Sequence, residues 1–170
     1  MESSTPAEPR LAATVILLRD EPFEVLMVRR HAAAVFGSAL VFPGGTVDAE
    51  DYAEDWLELV DGAEGLDPVA RAIRIAGIRE TFEETSLLIA HTPDGRAVRQ
   101  TTATDASFLE VVHGSGGRLA LGDIHPYSNW ITPERLPRRW DTWFLLARAP
   151  EGQVHVPDDA GYPVREHPVP

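Results

Sequence analysis

The feature that most constrains the fold of this chain is a helix signature near its middle. Asp67 can accept a hydrogen bond from the first turn of a helix, and Pro68 fits the first helical position. On a helical wheel the apolar positions that follow fall within about 60° of one another and form a core stripe: Ile75, Ile78 and Phe82. The segment therefore predicts an amphipathic helix over 68–84.

Three carboxylates lie on the opposite side of this wheel. Glu80, Glu83 and Glu84 have the spacing i, i+3 and i+4, and like charges at this spacing oppose helix formation by about 0.2–0.5 kcal/mol per pair. The helix macrodipole also disfavours anions near a C-terminus. A hard divalent cation such as Mg²⁺ or Mn²⁺ would remove both penalties. On spacing alone, a solvated acidic face with Arg79 as its counter-charge is an equal alternative.

The sequence around these carboxylates resembles a known motif. Residues 79–87, Arg-Glu-Thr-Phe-Glu-Glu-Thr-Ser-Leu, resemble the core of the Nudix box, and Gly45 with Asp51 resembles its opening G-x5-E. Between Asp51 and Arg79 lie 27 residues, which is longer than the gap of the family. Asp51 stands in place of Glu, Thr81 takes an apolar position and Ser86 takes the place of a glycine.

The resemblance implies a Nudix-type α/β/α sandwich with a mixed β-sheet. It also implies hydrolysis of a diphosphate linkage with Mg²⁺ or Mn²⁺ as the cofactor. By correspondence with the motif, the metal ligands are the Gly44 carbonyl and the carboxylates of Glu80, Glu83 and Glu84. Arg79 matches the arginine that orients a glutamate of the box, and it completes the catalytic set with the three glutamates.

The chain divides into one domain with two polar ends. We expect residues 1–10 to be a disordered lead-in, 11–150 to be the domain, and 151–170 to be a proline-rich tail. Residues 52–66 are expected to be a helical or looped insertion within the box that the fold tolerates. The other predicted elements are strands at 12–18, 23–29, 86–90, 129–131 and 140–149, and a helix at 105–112.

Composition narrows the classes of function. A formal net charge of −12, from 15 basic and 27 acidic side chains, argues against nonspecific nucleic-acid binding. The absence of cysteine excludes disulfides and thiolate metal sites. No apolar run is long enough to span a bilayer, and no secretory signal is visible. We therefore expect a soluble cytoplasmic protein. The resemblance implies that its partner is a small nucleoside-diphosphate molecule, and a homodimer is left open.

Two further segments bear on the substrate. Residues 42–48, Phe-Pro-Gly-Gly-Thr-Val-Asp, and residues 130–144 look like the branch that contains peroxisomal coenzyme A diphosphatases and their bacterial relatives. Coenzyme A or acyl-coenzyme A is thus the first substrate hypothesis. The candidate substrate-binding residues are Arg30, Phe42, Gly45, Arg135, Arg138 and Arg139.

Alternatives remain for several of these residues. The arginines could instead form surface ion pairs with nearby acids. Core packing is the first expectation for Trp130, Trp140 and Trp143, and base stacking is the second. For the whole chain, the alternative function is a Nudix-fold module that binds a nucleotide or regulates a partner without turnover.

Overall fold

A computed structural model describes residues 6–29, 39–99, 106–154 and 167–168. The strands, in chain order, are β1 Arg10–Arg19, β2 Glu24–Val25, β3 Val28–Arg29, β4 Leu40–Val41, β5 Gly44–Thr46, β6 Val60–Asp61, β7 Ala90–His91, β8 Arg118–Ala120, β9 His125–Ile131, β10 Trp140–Arg148 and β11 His167–Pro168. The helices are α1 Pro68–Thr85 and α2 Phe108–Ser115, with short 3-10 turns at Ala49–Tyr52, Glu54–Glu58 and Leu121–Asp123.

The central sheet is built around β1. This strand pairs in parallel with β10 along nearly its whole length, and on its other edge it pairs antiparallel with β2 and β5. The edge strand β9 lies antiparallel to β10, while β11 lies antiparallel to β2. Two smaller sheets contain β3 with β4, and β6, β8 and β7. The mixed sheet and its two helices confirm the α/β fold class.

The predicted long helix is confirmed as α1. The Asp67 carboxylate accepts a hydrogen bond from the Ala70 N–H at 2.8 Å, and the helix begins at Pro68. It lies so close to the sheet that a Cβ on Gly77 would come within 3.0 Å of the Val15 and Leu145 side chains. The helix ends at Ser86, whose φ of 60° is the left-handed conformation that glycine adopts more readily.

The segment 52–66, which we expected to be an insertion that the fold tolerates, contributes side chains to the hydrophobic core. Trp56 is only 3% exposed, and its ring centroid lies 5.5 Å from that of Phe108 on α2. Phe108 in turn contacts Phe82 on α1, with 5.8 Å between the ring centroids. Strand β6 adds the buried Val60 and pairs in parallel with β8. The segment is therefore part of the hydrophobic core, because an aromatic side chain in an acidic stretch turns inward and packs against Phe108 on α2.

Other elements differ from the prediction in their bounds. The strand expected at 23–29 is split into β2 and β3. The strand expected at 86–90 begins only at Ala90, because the residues before it form a buried irregular stretch. The helix expected at 105–112 begins three residues later, where Ser107 and Glu110 form a capping box. Within the described residues, neither helix is both long and apolar enough to cross a membrane.

We predict that Trp56→Ala lowers the free energy of unfolding by about 3–5 kcal/mol, because it removes a buried aromatic side chain between two helices. The neighbouring exposed residue offers a matched control, and Leu57→Ala should change stability by less than about 0.5 kcal/mol. Urea unfolding followed by circular dichroism measures both. Equal, small effects of the two substitutions would show that the insertion lies outside the cooperative core.

Candidate active site

Strand β5 presents part of its backbone to the candidate site. The Val15 N–H donates to the Pro43 carbonyl and the Val47 N–H donates to the Leu11 carbonyl, each at 2.9 Å. Because backbone polar groups alternate sides along a strand, the Gly44 and Thr46 carbonyls face away from β1. The Thr46 carbonyl accepts a hydrogen bond from Arg79 Nη2 at 3.0 Å. The Gly44 carbonyl, predicted as a metal ligand, is therefore free of the β1 ladder and faces the same side.

Arg79 is the centre of the site. Its Nε and Nη2 donate to the two oxygens of Asp51, each at 3.0 Å, which makes a bidentate pair. The Asp51 side chain is only 1% exposed. Its Oδ2 also accepts the Asp48 N–H at 2.8 Å, which closes the 3-10 turn over Ala49–Tyr52. The arginine thus joins α1 to this turn and to β5.

Asp51 is the residue that the candidate site set lacked. The sequence placed it at the opening position of the box, but with 27 residues between it and Arg79. No local pattern indicates a contact over that distance. The signal that could have found it is the correspondence of Asp51 with the glutamate of the motif.

The remaining nitrogen of the Arg79 guanidinium donates hydrogen bonds to two carboxylates of α1. Nη1 donates to Glu80 Oε1 at 2.8 Å and to Glu83 Oε2 at 3.2 Å. Glu80 is mostly buried, whereas the Glu83 side chain is 48% exposed. Two of the three predicted carboxylates are therefore gathered on one guanidinium, and Glu84 lies half-buried on the same helix.

Gly45 leaves room for one of these carboxylates. A Cβ built on Gly45 would lie 2.4–2.5 Å from the carboxyl atoms of Glu80, which is far inside van der Waals contact. Any other residue at this position would displace the carboxylate, so the second glycine of Pro43-Gly-Gly is needed for close approach. Gly45 thus shapes the carboxylate cluster, whatever its contact with a substrate.

Burial sets the protonation of the cluster. It raises the pKa of Glu80 and of Glu83, and the neighbouring Arg79 charge opposes that shift. Burial also acts to lower the pKa of Arg79, but the hydrogen bond and charge of Asp51, with the charges of Glu80 and Glu83, raise it overall. Arg79 therefore remains a permanent cation at the centre of the cluster.

The donor set fits a hard divalent cation. Glu80, Glu83 and Glu84 supply carboxylate oxygens on one side of α1, and the outward carbonyl of Gly44 is a fourth oxygen donor on the facing strand. As arranged, no three acidic or histidine side chains among the described residues converge on a common point. Glu80 and Glu83 instead share the Nη1 of Arg79.

The predicted substrate-binding residues are not all brought to this cluster. Phe42 is half-buried and precedes strand β5 by two residues. Arg30 lies outside the described residues. Arg139 donates to the Thr132 carbonyl at 3.0 Å and to the Ala7 carbonyl at 2.7 Å, and its own carbonyl accepts from the Arg10 N–H. Its guanidinium is therefore bound to backbone rather than open to a phosphate.

Arg135 and Arg138 are exposed in the connection between β9 and β10. Neither forms an ion pair within the part of the chain that the structure describes, so the surface pairing considered for them is not seen there.

The expectation of core packing is wrong for Trp130. Its side chain is 70% exposed on edge strand β9, whereas Trp140 and Trp143 on β10 are half-buried. The difference follows from topology, because β10 has a neighbour on both sides and β9 has only one.

A cavity of about 1070 Å³ lies elsewhere, near the ends of β1 and β10. Leu17, His91, Arg148 and Gln153 are among its lining residues, but none of the predicted site residues is. Volume alone does not make a site, so the candidate site remains the carboxylate cluster.

Known proteins resemble this chain in sequence and in fold. A Caenorhabditis elegans protein named as a nudix hydrolase is 32% identical over 146 residues, which are 81% of this chain and 43% of that protein. An acyl-coenzyme A diphosphatase of Gallus gallus is 27% identical over 219 aligned residues, 88% of this chain and 58% of that protein. The chain thus spans about half the length of these relatives. No protein-family model matches it.

A solved structure is similar to this chain in sequence and in fold. The crystal structure of a NUDIX hydrolase from Alicyclobacillus acidocaldarius superposes with a TM-score of 0.74 at 26% identity, and covers 95% of this chain and 80% of its own.

We predict that Asp51→Asn lowers the free energy of unfolding by about 3 kcal/mol, because it removes the charge of the most deeply buried carboxylate that pairs with Arg79. Asp48, half-exposed and 3.5 Å from Arg79 Nη2, is the matched control. Asp48→Asn should cost less than about 1 kcal/mol. Thermal unfolding of both variants checks the difference, and an unchanged midpoint for Asp51→Asn would contradict the structural role of the pair.

Proposed function

Because the chain belongs to the Nudix hydrolase superfamily, we propose that it hydrolyses a diphosphate linkage that joins a nucleoside to another group, with Mg²⁺ or Mn²⁺ as the cofactor. The observation that carries this proposal is the carboxylate cluster itself. Arg79 holds Glu80 and Glu83 at 2.8 and 3.2 Å beside the outward face of Gly44 and Gly45. A solvated acidic face would not need a buried arginine, a buried partner and a glycine without room for a side chain.

The reaction adds water to one phosphorus, and the bridging oxygen leaves with the other phosphate group. Bound metal ions would neutralise phosphate oxygens and acidify the water. Glu80, Glu83 and Glu84 would hold these ions together with the Gly44 carbonyl. Asp51 would act through Arg79 as a positioning residue, since it fixes the guanidinium that orients Glu80. Gly45 keeps the Glu80 carboxylate against β5.

For the substrate, we propose coenzyme A or acyl-coenzyme A. The support is the resemblance of residues 42–48 and 130–144 to the coenzyme A branch, together with the relative named as an acyl-coenzyme A diphosphatase. Arg135 and Arg138 are exposed cations without a described ion pair, and they are the residues available to attract the 3′-phosphate of that substrate. Arg30 remains a proposal from sequence.

A second function has one observation in its favour. Arg79 already binds Glu80 and Glu83 as well as Asp51, so the fold itself supplies a positive charge to the cluster. A module that binds a nucleotide without turnover would require no more than this. Metal dependence separates the two functions, because only the hydrolase needs the carboxylates free for metal.

We predict that Glu83→Gln lowers kcat at least about a hundredfold, because it removes a charged metal ligand. Glu84→Gln should do the same. Turnover of a diphosphate substrate in Mg²⁺, and its loss in EDTA, is measured by resolving the products by mass. Glu58→Gln, an exposed acid in the insertion, is the control and should retain activity. Full activity in EDTA would refute the metal-dependent proposal.

We predict that coenzyme A is cleaved to 4′-phosphopantetheine and adenosine 3′,5′-bisphosphate. Dephospho-coenzyme A should lose roughly 1.5–3 kcal/mol of charged hydrogen bonding in kcat/KM, and Arg135→Ala with Arg138→Ala should abolish that preference. The measurement is kcat/KM for coenzyme A, dephospho-coenzyme A, ADP-ribose and NADH side by side. If ADP-ribose or NADH is cleaved far better than either coenzyme A form, the substrate is a different nucleoside diphosphate.

A further inference from the structure

Asp51, which binds Arg79, lies in a short turn. This is a 3-10 turn of four residues, Ala49–Tyr52. The Asp51 N–H donates to the Asp48 carbonyl at 3.1 Å, and the Ala53 N–H donates to the Glu50 carbonyl at the same distance. Hydrogen bonds of a 3-10 turn are poorly aligned, so a turn of this length has little rigidity of its own. Contacts from outside the turn therefore decide how firmly Asp51 is held.

Trp56 supplies such a contact from within the insertion. Its indole Nε1–H donates to the Glu50 carbonyl at 2.9 Å. That carbonyl belongs to the peptide unit that joins Glu50 to Asp51, and the atoms of a peptide unit lie in one plane. The opposite edge of the same plane carries the Asp51 N–H, which is bonded within the turn. The plane is therefore held on both sides, and it fixes the direction in which the chain enters Asp51.

The indole that donates this hydrogen bond is itself held in place. The Trp56 side chain is only 3% exposed and packs against Phe108 on α2, and close packing in an interior restricts its rotamers. Further along the insertion, the Arg118 guanidinium of β8 donates to the Asp61 carboxylate and to the Val60 carbonyl. The insertion is thus bound both to the core and to β8, so that the indole N–H is a fixed donor.

On its other side the turn leads to the carboxylates of α1. Asp51 accepts hydrogen bonds from Nε and Nη2 of Arg79, each at 3.0 Å. Because a guanidinium is planar and rigid, two bonds along one edge fix the direction of its third nitrogen. That nitrogen, Nη1, donates to Glu80 and Glu83. A continuous series of bonds therefore runs from Trp56 to the carboxylate cluster.

We infer that Trp56 is a positioning residue for the carboxylate cluster, and that it acts through the hydrogen bond from its indole N–H to the Glu50 carbonyl. Because the cluster is the proposed metal site, this role rests on the proposed function and extends it to the insertion. The indole holds the peptide unit before Asp51, Asp51 holds the Arg79 guanidinium, and the guanidinium orients the carboxylates. Trp56 itself contacts neither metal nor substrate in this role.

The test substitution is Trp56→Phe, which keeps a buried aromatic ring and removes only the N–H donor and part of the ring volume. The first measurement needs neither metal nor substrate. It is the hydrogen-exchange rate of the Arg79 Nε–H, followed by NMR in ¹⁵N-labelled protein, with the signal identified by its loss in Arg79→Lys. Exchange should be roughly fivefold faster in Trp56→Phe, since loss of one hydrogen bond makes local opening more frequent.

Val60→Ala is the matched control. Val60 lies in the same insertion and is also 3% exposed, so this substitution removes core packing without removing a hydrogen bond to the turn. It should leave the exchange rate of the Arg79 Nε–H within about twofold of wild type, whereas a loss of stability alone would raise exchange in both variants.

The second measurement concerns the proposed metal site. The Kd for Mn²⁺, measured by electron paramagnetic resonance, should rise roughly fivefold in Trp56→Phe and stay within about twofold of wild type in Val60→Ala. In turnover of a diphosphate substrate, kcat should fall by a similar factor while KM stays within about twofold, because Trp56 does not contact the substrate.

The outcomes separate this role of Trp56 from the proposed function. Unchanged exchange in Trp56→Phe, or an equal rise in Val60→Ala, would overturn the role even if the wild type hydrolyses its substrate with metal. Faster exchange with unchanged Mn²⁺ affinity and kcat would overturn it too, because the bond would then support only the turn. A wild type that neither binds Mn²⁺ nor turns over would refute the proposed function, while the exchange rates still decide whether Trp56 positions Arg79.

Discussion

The buried pair between Asp51 and Arg79 is the interaction on which the site depends. It joins two segments that the insertion separates in the chain. Arg79 also donates a hydrogen bond to the Thr46 carbonyl, which links β5 to the pair. Breaking a buried ion pair costs about 3–5 kcal/mol. The pair therefore holds the strand, the turn and the helix in one arrangement, and it fixes the guanidinium that Glu80 and Glu83 contact.

The same arginine solves an electrostatic problem for the helix. Carboxylates at i, i+3 and i+4 near a helix C-terminus repel one another and oppose the macrodipole. Burial makes this worse, as the raised pKa of Glu80 and Glu83 indicates. The guanidinium supplies positive charge from within the fold, so the helix forms without bound metal. A bound cation would share this role, with the carboxylates divided between the two positive centres.

How much of this could be predicted depends on the distance over which each pattern acts. The helix from 68 onward was predicted almost to the residue, because its cap and its apolar stripe are local. The motif indicated the residues of the cluster. It did not indicate how Asp51 and Arg79, which are far apart in the chain, come into contact. The sequence did not predict the burial of Trp56 or the exposure of Trp130, because each depends on sheet order and on which strand lies at an edge. The amino-acid composition is the same whether a tryptophan is buried or exposed.

The insertion explains why so long a gap between the halves of the box is compatible with an ordered site. Trp56 is fixed in the core between the two helices, and its indole N–H donates to the Glu50 carbonyl at 2.9 Å. Glu50 directly precedes Asp51 in the 3-10 turn. A flexible loop of this length would leave Asp51 free to move, since loop entropy alone does not hold an end in place. The insertion instead transmits the rigidity of the core to the residue that positions Arg79, so that stability and the geometry of the carboxylates depend on the same contacts.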